Sequence, residues 1–362
     1  MARHPDTQPD DMGRADMRAE TFSTSDVPAS QQFDAWMAWF DGVFGVLPHH
    51  CPRCGFQAQG QTWQLDGCML SRVRAPAIRV ERNITHVRCT PLDHWVITLS
   101  HHATSLIRSG DTTLRVPPRK PFVLSLADEL TSERPEDERL QVYMSRDELA
   151  DLAPALERVR GKALHTPLGS LLGDYLVLLE RTLPDVAPDD LPRLSEAIGA
   201  MVAASLAPEQ ERAGSAGPQI DLVRLERVRH VVRRYLRSPA LGPRLLCHHV
   251  SMSRSKLYRL MDAEGGVARY IQHQRLLEAY ALLSDPSVNR SITAVAEELC
   301  FADTSSFGRA FRREFGTSPS DVRANSRTAP KRGEAHANGA TGGGLQSLLR
   351  ATNCSYTSRP KA

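Results

Sequence analysis

Two short stretches carry residues whose types and spacing suit the reading of DNA. In the first, Arg254, Ser255, Lys256, Tyr258 and Arg259 alternate with Leu257, Leu260 and Met261. In the second, Thr304, Ser305, Ser306, Arg309, Arg312 and Arg313 alternate with Phe307, Ala310, Phe311 and Phe315. At helical periodicity each set splits into an apolar face and a face of cations and small hydroxyls. Arginine can bond guanine O6 and N7 bidentately, and Ser or Thr can reach phosphates and base edges. One such helix would be an ordinary amphipathic helix with a solvated basic face; here the pattern occurs twice. Residues 219–325 hold 17 Lys/Arg against 11 Asp/Glu, a net of +6, while the rest of this +3 chain carries −3. A basic third of the chain favours a polyanionic partner.

Helices must position these side chains, and the capping signals for them are local. Leu245–Val250 reads as a short helix, Ser251-Met252 as a turn, and Ser253 as the cap of the first basic helix. Ser291 caps a helix through Leu299, Cys300–Asp303 is a turn, and Asp303 or Thr304 caps the second basic helix. Gly316 stops that helix, and Ser318–Asp321 begins another as a capping box. Between the units, Val267–Leu283 is apolar at Tyr270, Ile271, Leu276, Leu277, Ala279, Tyr280 and Leu283. Such a helix is roughly 25 Å long at 1.5 Å per residue. It could hold two recognition helices about one DNA turn, roughly 34 Å, apart. The expected layout is a first helix-turn-helix at about 241–263, a linker helix at 267–284 and a second helix-turn-helix at about 291–315.

The order SxSxLYRLxxxEGG, YIxxxRLLEAxxLL, SIxxVAxxxxFxDxSxFxRAFRxxFGxSPSxxR resembles the DNA-binding domain of the AraC/XylS family, from Asp221 to Arg323. The resemblance implies a transcription regulator with two helix-turn-helix subdomains on a shared linker helix. It places Ser255, Tyr258 and Arg259 on the first recognition helix, and Ser305, Ser306, Arg309 and Arg312 on the second. Its partners would be double-stranded DNA and RNA polymerase. The family pattern has glycine in each turn, where this chain has Ser251 and Cys300, and Cys247 replaces the usual alanine of the first positioning helix. A non-glycine residue in the left-handed conformation costs on the order of 1–2 kcal/mol, which a well-packed domain can bear.

The remaining elements predict an α+β protein of two domains. Residues 1–26 read as a tail, followed by a helix with Phe33, Trp36, Met37 and Phe40 on one face. From Trp63 to Met144, short apolar runs separated by turn signals suggest a small sandwich or barrel. Helices are expected over Asp147–Val159, Gly169–Leu183 and Leu191–Leu206. The stripe Leu172, Tyr175, Leu176, Leu179 and the stripe Leu194, Ile198, Met201, Val202, Leu206 suit either a core or a dimer seam. Residues 207–218 read as a linker, 219–325 as the DNA-binding domain and 326–362 as a low-complexity tail. Over Gln31–Leu206 the chain is similar to the AraC-binding-like sensor of one branch of the family, a cupin-like β-barrel that holds a small molecule and is followed by dimerising helices. The resemblance implies that residues 27–206 are an effector-sensing and dimerisation domain. Val116–Pro121 departs from the Pro-Gly-Asp turn frequent there, so no ligand is carried over. Arg79, Arg82, His94, Trp95 and His101 sit on candidate strands and could meet a carboxylate or an aromatic ring.

Other chemistry finds little support. Cys51 and Cys54 have CxxC spacing within HHCPRCG, but no second pair follows to complete a zinc site. His101 and His102 would point to opposite faces of a strand. A DNA-repair methyl-acceptor would need two upstream cysteine pairs or a Pro-Cys-His-Arg motif; a catalytic cupin would need His-x-His with a Glu and a later His. The sequence therefore predicts no catalytic set, metal or cofactor. Seven cysteines, an odd number, suit reduced thiols. The longest apolar run, Leu168–Leu179, is interrupted and too short to span a membrane, and no secretory signal is visible. The expectation is a cytoplasmic bacterial protein, nucleoid-associated when bound, acting as a homodimeric activator that responds to a small molecule.

Overall fold

The computed structural model describes residues 19–40, 42–49, 54–90, 92–109, 112–147, 149–211, 216–285, 288–328 and 344–357. In chain order the first half contains β1 (Glu20–Ser23), α1 (Gln32–Phe40), β2 (Gly45–Pro48), β3 (Gln59–Gln64), β4 (Cys68–Ala75), β5 (Ile78–Arg82) and α2 (Ile84–Cys89). Next come β6 (Trp95–Ser100), β7 (Ser105–Ser109), β8 (Thr112–Val116), β9 (Phe122–Ser125), β10 (Leu130–Arg134), β11 (Asp137–Met144), α3 (Ala153–Val159) and β12 (Lys162–Ala163). Two sheets form, in the orders β1-β3-β4-β11-β6-β9-β12 and β2-β5-β10-β7-β8. The barrel expected from the sequence is thus two facing sheets, the double-sheet alternative to full closure.

Strand alternation assigns each face. Along β11, Tyr143 joins the apolar core between the sheets with Met69, Val96 and Leu130. Its neighbours Leu140, Val142 and Met144 join a second core under the helices. Those helices are α3, α4 (Pro167–Thr182) and α5 (Leu191–Glu211). Leu172, Leu176 and Leu179 of α4, and Ile198, Val202 and Leu206 of α5, lie in that core. These members of the stripes read from the sequence therefore face inward, while Tyr175, Leu194 and Met201 are only partly buried at the edge of that core. At the expected linker, α5 runs on through Glu211 and α6 (Ala216–Arg234) begins five residues later.

The second half is helical: α6, α7 (Pro243–Val250), α8 (Arg254–Leu260), α9 (Val267–Ser284), α10 (Ile292–Glu298), α11 (Thr304–Phe315) and α12 (Pro319–Thr328). It has two cores that share α9. Val267, Tyr270 and Ile271 of α9 pack with Val228, Val232, Leu246, Leu257 and Met261. Leu276, Ala279 and Leu283 pack with Val295, Leu299, Phe307, Phe311 and Val322. One helix of 18 residues, roughly 27 Å, therefore sets the separation of the two units.

The expected C-terminal tail differs from the structure. A last helix, α13 (Leu345–Thr357), returns to the first domain, where Leu345, Leu348 and Leu349 enter the core between the sheets. Gln64 Nε2 donates to the Leu348 carbonyl at 3.0 Å, fixing the helix against β3.

Candidate nucleic-acid interface

Both turns adopt the strained conformation that their sequence implies. Ser251 and Cys300 have φ of 50° and 58°, two of the three non-glycine residues with positive φ among the described residues. Cys300 N–H donates to the Glu297 carbonyl and Phe301 N–H to the Ala296 carbonyl, both at 2.9 Å, the paired bonds of a Schellman turn. Met252 N–H donates to the Cys247 carbonyl in the same way at 3.2 Å. The Cys300 thiol adds a bond to the Arg237 carbonyl at 3.3 Å. These bonds and the cores on either side offset the left-handed strain. The third such residue, Arg119, lies in the Val116–Pro121 turn.

The expected caps are present. Ser253, Ser291 and Asp303 accept from Lys256, Ala294 and Ser306 amides at 3.3, 3.0 and 2.7 Å. On α8, Arg254, Ser255, Tyr258 and Arg259 are exposed, with the Arg254 guanidinium 5.7 Å over the Tyr258 ring. Lys256 differs from its companions: it is half-buried and its Nζ lies 3.0 Å from Asp221 of α6, which favours a positioning contact over DNA. On α11, Thr304, Ser305, Arg309, Arg312 and Arg313 are exposed and Ser306 is half-buried. An open groove of about 700 Å³ runs between α11 and the start of α12, lined by Ser305, Arg309, Arg312, Arg313 and Ser318. Cations and hydroxyls on such a concave wall suit phosphate oxygens.

The five effector candidates do not converge on one place. Arg79 is exposed, 3.6 Å from Glu133. Arg82 is buried as a clamp, donating to the Leu126, Val43 and Thr90 carbonyls at 2.7, 2.7 and 2.9 Å. Trp95 faces the helical core, with the Arg146 guanidinium 4.3 Å over its ring. His101 lies beside Glu138 and Glu180 at metal-ligand spacing, but Arg72 is bonded to both carboxylates at 2.9 and 3.1 Å, where a cation would sit. Cys51 lies outside the described residues, and Cys54 is exposed.

His94 belongs to a polar junction between the domains that sequence reading missed. Arg233 of α6 binds Asp93 at 2.8 Å and also Asp147, and His230 Nδ1 lies 3.1 Å from Asp147. Arg146, almost fully buried, reaches Glu157 at 3.3 Å and Glu226 of α6 at 3.4 Å. Burial alone would raise the Asp147 carboxyl, but His230 and Arg233 hold it down at about 2. The available signal was the spacing of Glu226, His230 and Arg233, which places them on one face of α6, away from the buried Val228 and Val232.

Burial pushes the His94 imidazole down to about 4, against the partial opposition of Asp93. A folded-state value below the unfolded one gives stability that is complete above about pH 6.5 and is lost as pH falls through 4. The loss is on the order of 3 kcal/mol. Urea unfolding at pH 7.5 and 4.5 should show this loss in the native chain and a smaller one in His94→Gln. Equal losses would assign the acid sensitivity elsewhere, since Asp147 and Asp93 titrate below this window.

Two outward recognition helices on one shared helix, beside a two-sheet domain, define a DNA-binding transcriptional regulator. Residues 246–325 match the family model described as a helix-turn-helix domain. The transcriptional activator NphR from Rhodococcus sp is 27% identical over 283 residues, covering 74% of this chain and 81% of that protein. The crystal structure of the AraC-like transcriptional activator CuxR is similar with 28% identity and a TM-score of 0.52, covering 73% of this chain and 95% of that one. Over about three quarters of its length the chain is similar to these AraC-like activators, and residues 246–325 carry the helix-turn-helix domain.

Proposed function

We propose that the chain is a small-molecule-responsive activator whose helices α8 and α11 enter adjacent major grooves on one face of DNA. The carrying observation is the matched pair of left-handed turns, which hold Arg259 and Arg309 outward at either end of α9. Arg254, Ser255, Tyr258, Thr304, Ser305, Ser306, Arg312 and Arg313 complete the contact surface, with RNA polymerase as the protein partner of the bound activator. The named activators among its relatives support this sign of regulation and a role other than catalysis. The proposed site of action is the bacterial cytoplasm, on the nucleoid; among the described residues, no helix is long and apolar enough to cross a membrane. Selection from random-sequence duplex tests the reading: an enriched bipartite motif is expected, and retention without any motif would count against it.

We place the homodimer seam on the outer face of α4. Leu168, Leu171 and Leu178 are 38%, 49% and 63% exposed, although α4 is otherwise well packed. With Tyr175 they recur at the three-and-four spacing of a coiled-coil seam. Leu171→Glu with Leu178→Glu should weaken the dimer at least a hundredfold in sedimentation while helix content is kept. A dimer that survives both charges would put the interface elsewhere.

A further inference from the structure

Between the two sheets, two buried guanidiniums face each other without a carboxylate. Arg139 of β11 donates to Ser105 Oγ at 3.4 Å and to the Pro135 carbonyl at 3.3 Å. Arg134 of β10 donates to Ser132 Oγ at 3.3 Å. Neither has a carboxylate within ion-pair distance among the described residues. Asp137, two residues before Arg139, instead accepts from the His102 and Ala103 amides at 3.1 Å. Tyr143, fully buried on the same face of β11, has a hydroxyl without a hydrogen-bond partner. Buried charges are costly to keep unless an opposite charge or a full hydrogen-bond set meets them.

We propose that this space binds a small organic carboxylate, its oxygens held between Arg134 and Arg139 and accepting a bond from Tyr143 Oη. The proposal rests on the effector-responsive reading above and names the ligand class. The interior is graded along β11. Arg139 is level with Ser100, Gln141 with Ser71 and Thr98, and Tyr143 with Met69 and Val96. One end therefore offers cations and hydroxyls, and the other an apolar wall continuous with Leu130. A carboxylate on an aromatic or aliphatic body matches that gradient, whereas a sugar or an inorganic anion matches only one end. Burial lowers Arg139 to about 9, with Arg134 adding to the effect and Asp137 opposing it in part, and a bound anion would oppose it further.

The test uses the full chain with benzoate and hexanoate, their neutral amides, and inorganic phosphate, read by calorimetry and thermal melts. At least one acid should bind at millimolar concentration or below, at least tenfold tighter than its amide, and raise Tm. Arg139→Met should weaken that binding at least tenfold and raise the ligand-free Tm, because a bland structural arginine would lower it instead. Equal binding of acid and amide, or no binding of either acid, would overturn the proposal, whatever the variant does. Phosphate binding as tightly as the acids would overturn the apolar body. DNA binding measured on the same preparation keeps a failure here distinct from a failure of the regulator reading.

Discussion

Replacing Arg309 by alanine should weaken specific DNA binding roughly 5- to 150-fold, the loss of about 1–3 kcal/mol that one bidentate base contact carries. Arg259→Ala should do the same through the other unit. The two side chains stand on separate helices with separate cores, so their losses should nearly add. The double variant should then bind roughly 25- to 20,000-fold more weakly than the native chain at fixed salt. Both residues are exposed, so melting should be unchanged within the scatter expected for surface substitutions, roughly 0.5 kcal/mol. Lys256→Ala is expected to act differently, because its ammonium is bound to Asp221. Unchanged affinity in Arg309→Ala, titrated on a selected site, would remove α11 from the major groove.

The second large effect concerns α13. Leu345, Leu348 and Leu349 are 1%, 6% and 0% exposed and pack with the core that contains Trp36, Trp39 and Phe40. Truncating one such leucine to alanine typically costs 2–5 kcal/mol, through lost transfer energy and the remaining cavity. Ending the chain after Thr328 removes all three, so the two-sheet domain should lose well over about 3 kcal/mol. Urea unfolding followed by tryptophan fluorescence reports it, since Trp36 and Trp39 lie beneath the helix. An unchanged midpoint would mean that residues 344–357 are the solvated tail the sequence suggested. The recognition-helix cores contain no residue of α13, so the loss should leave their unfolding transition in place.

The DNA-binding half was legible because its signals are local. Ser253, Ser291 and Asp303 cap within one turn, and apolar faces at 3.6-residue spacing need no knowledge of distant partners. Even the strained turns could be located, because Ser251 and Cys300 stand where a left-handed residue is required. In the two-sheet domain, the placing of each side chain depends on which face of a strand points inward, and that is fixed by pairing between residues far apart. Arg79 and Arg82 are three residues apart, yet one is exposed and the other is a buried clamp. The run SERPEDERL reads as a charged turn, and only the pairing of β10 and β11 with their neighbours sends Arg134 and Arg139 inward. For α13, the spacing of Leu345, Leu348 and Leu349 was a helical signal, obscured by the glycines before it.

The junction at α6 gives the two halves a physical link. Arg233, His230 and Glu226 belong to the helix that supplies Val228 and Val232 to the first helix-turn-helix unit, and they bind Asp93, Asp147 and Arg146 of the two-sheet domain. A displacement of Asp93 or Asp147 would therefore bear on the helix that supports α8.

The most direct test is protection of guanine N7 from dimethyl sulfate by the full chain on a selected duplex, with Arg259→Ala and Arg309→Ala alongside. Two protected major-groove segments are expected on one face, centred about 10–10.5 base pairs apart for each chain, with Arg259→Ala losing one segment and Arg309→Ala the other. A single segment, or two segments weakened equally by either substitution, would contradict that arrangement.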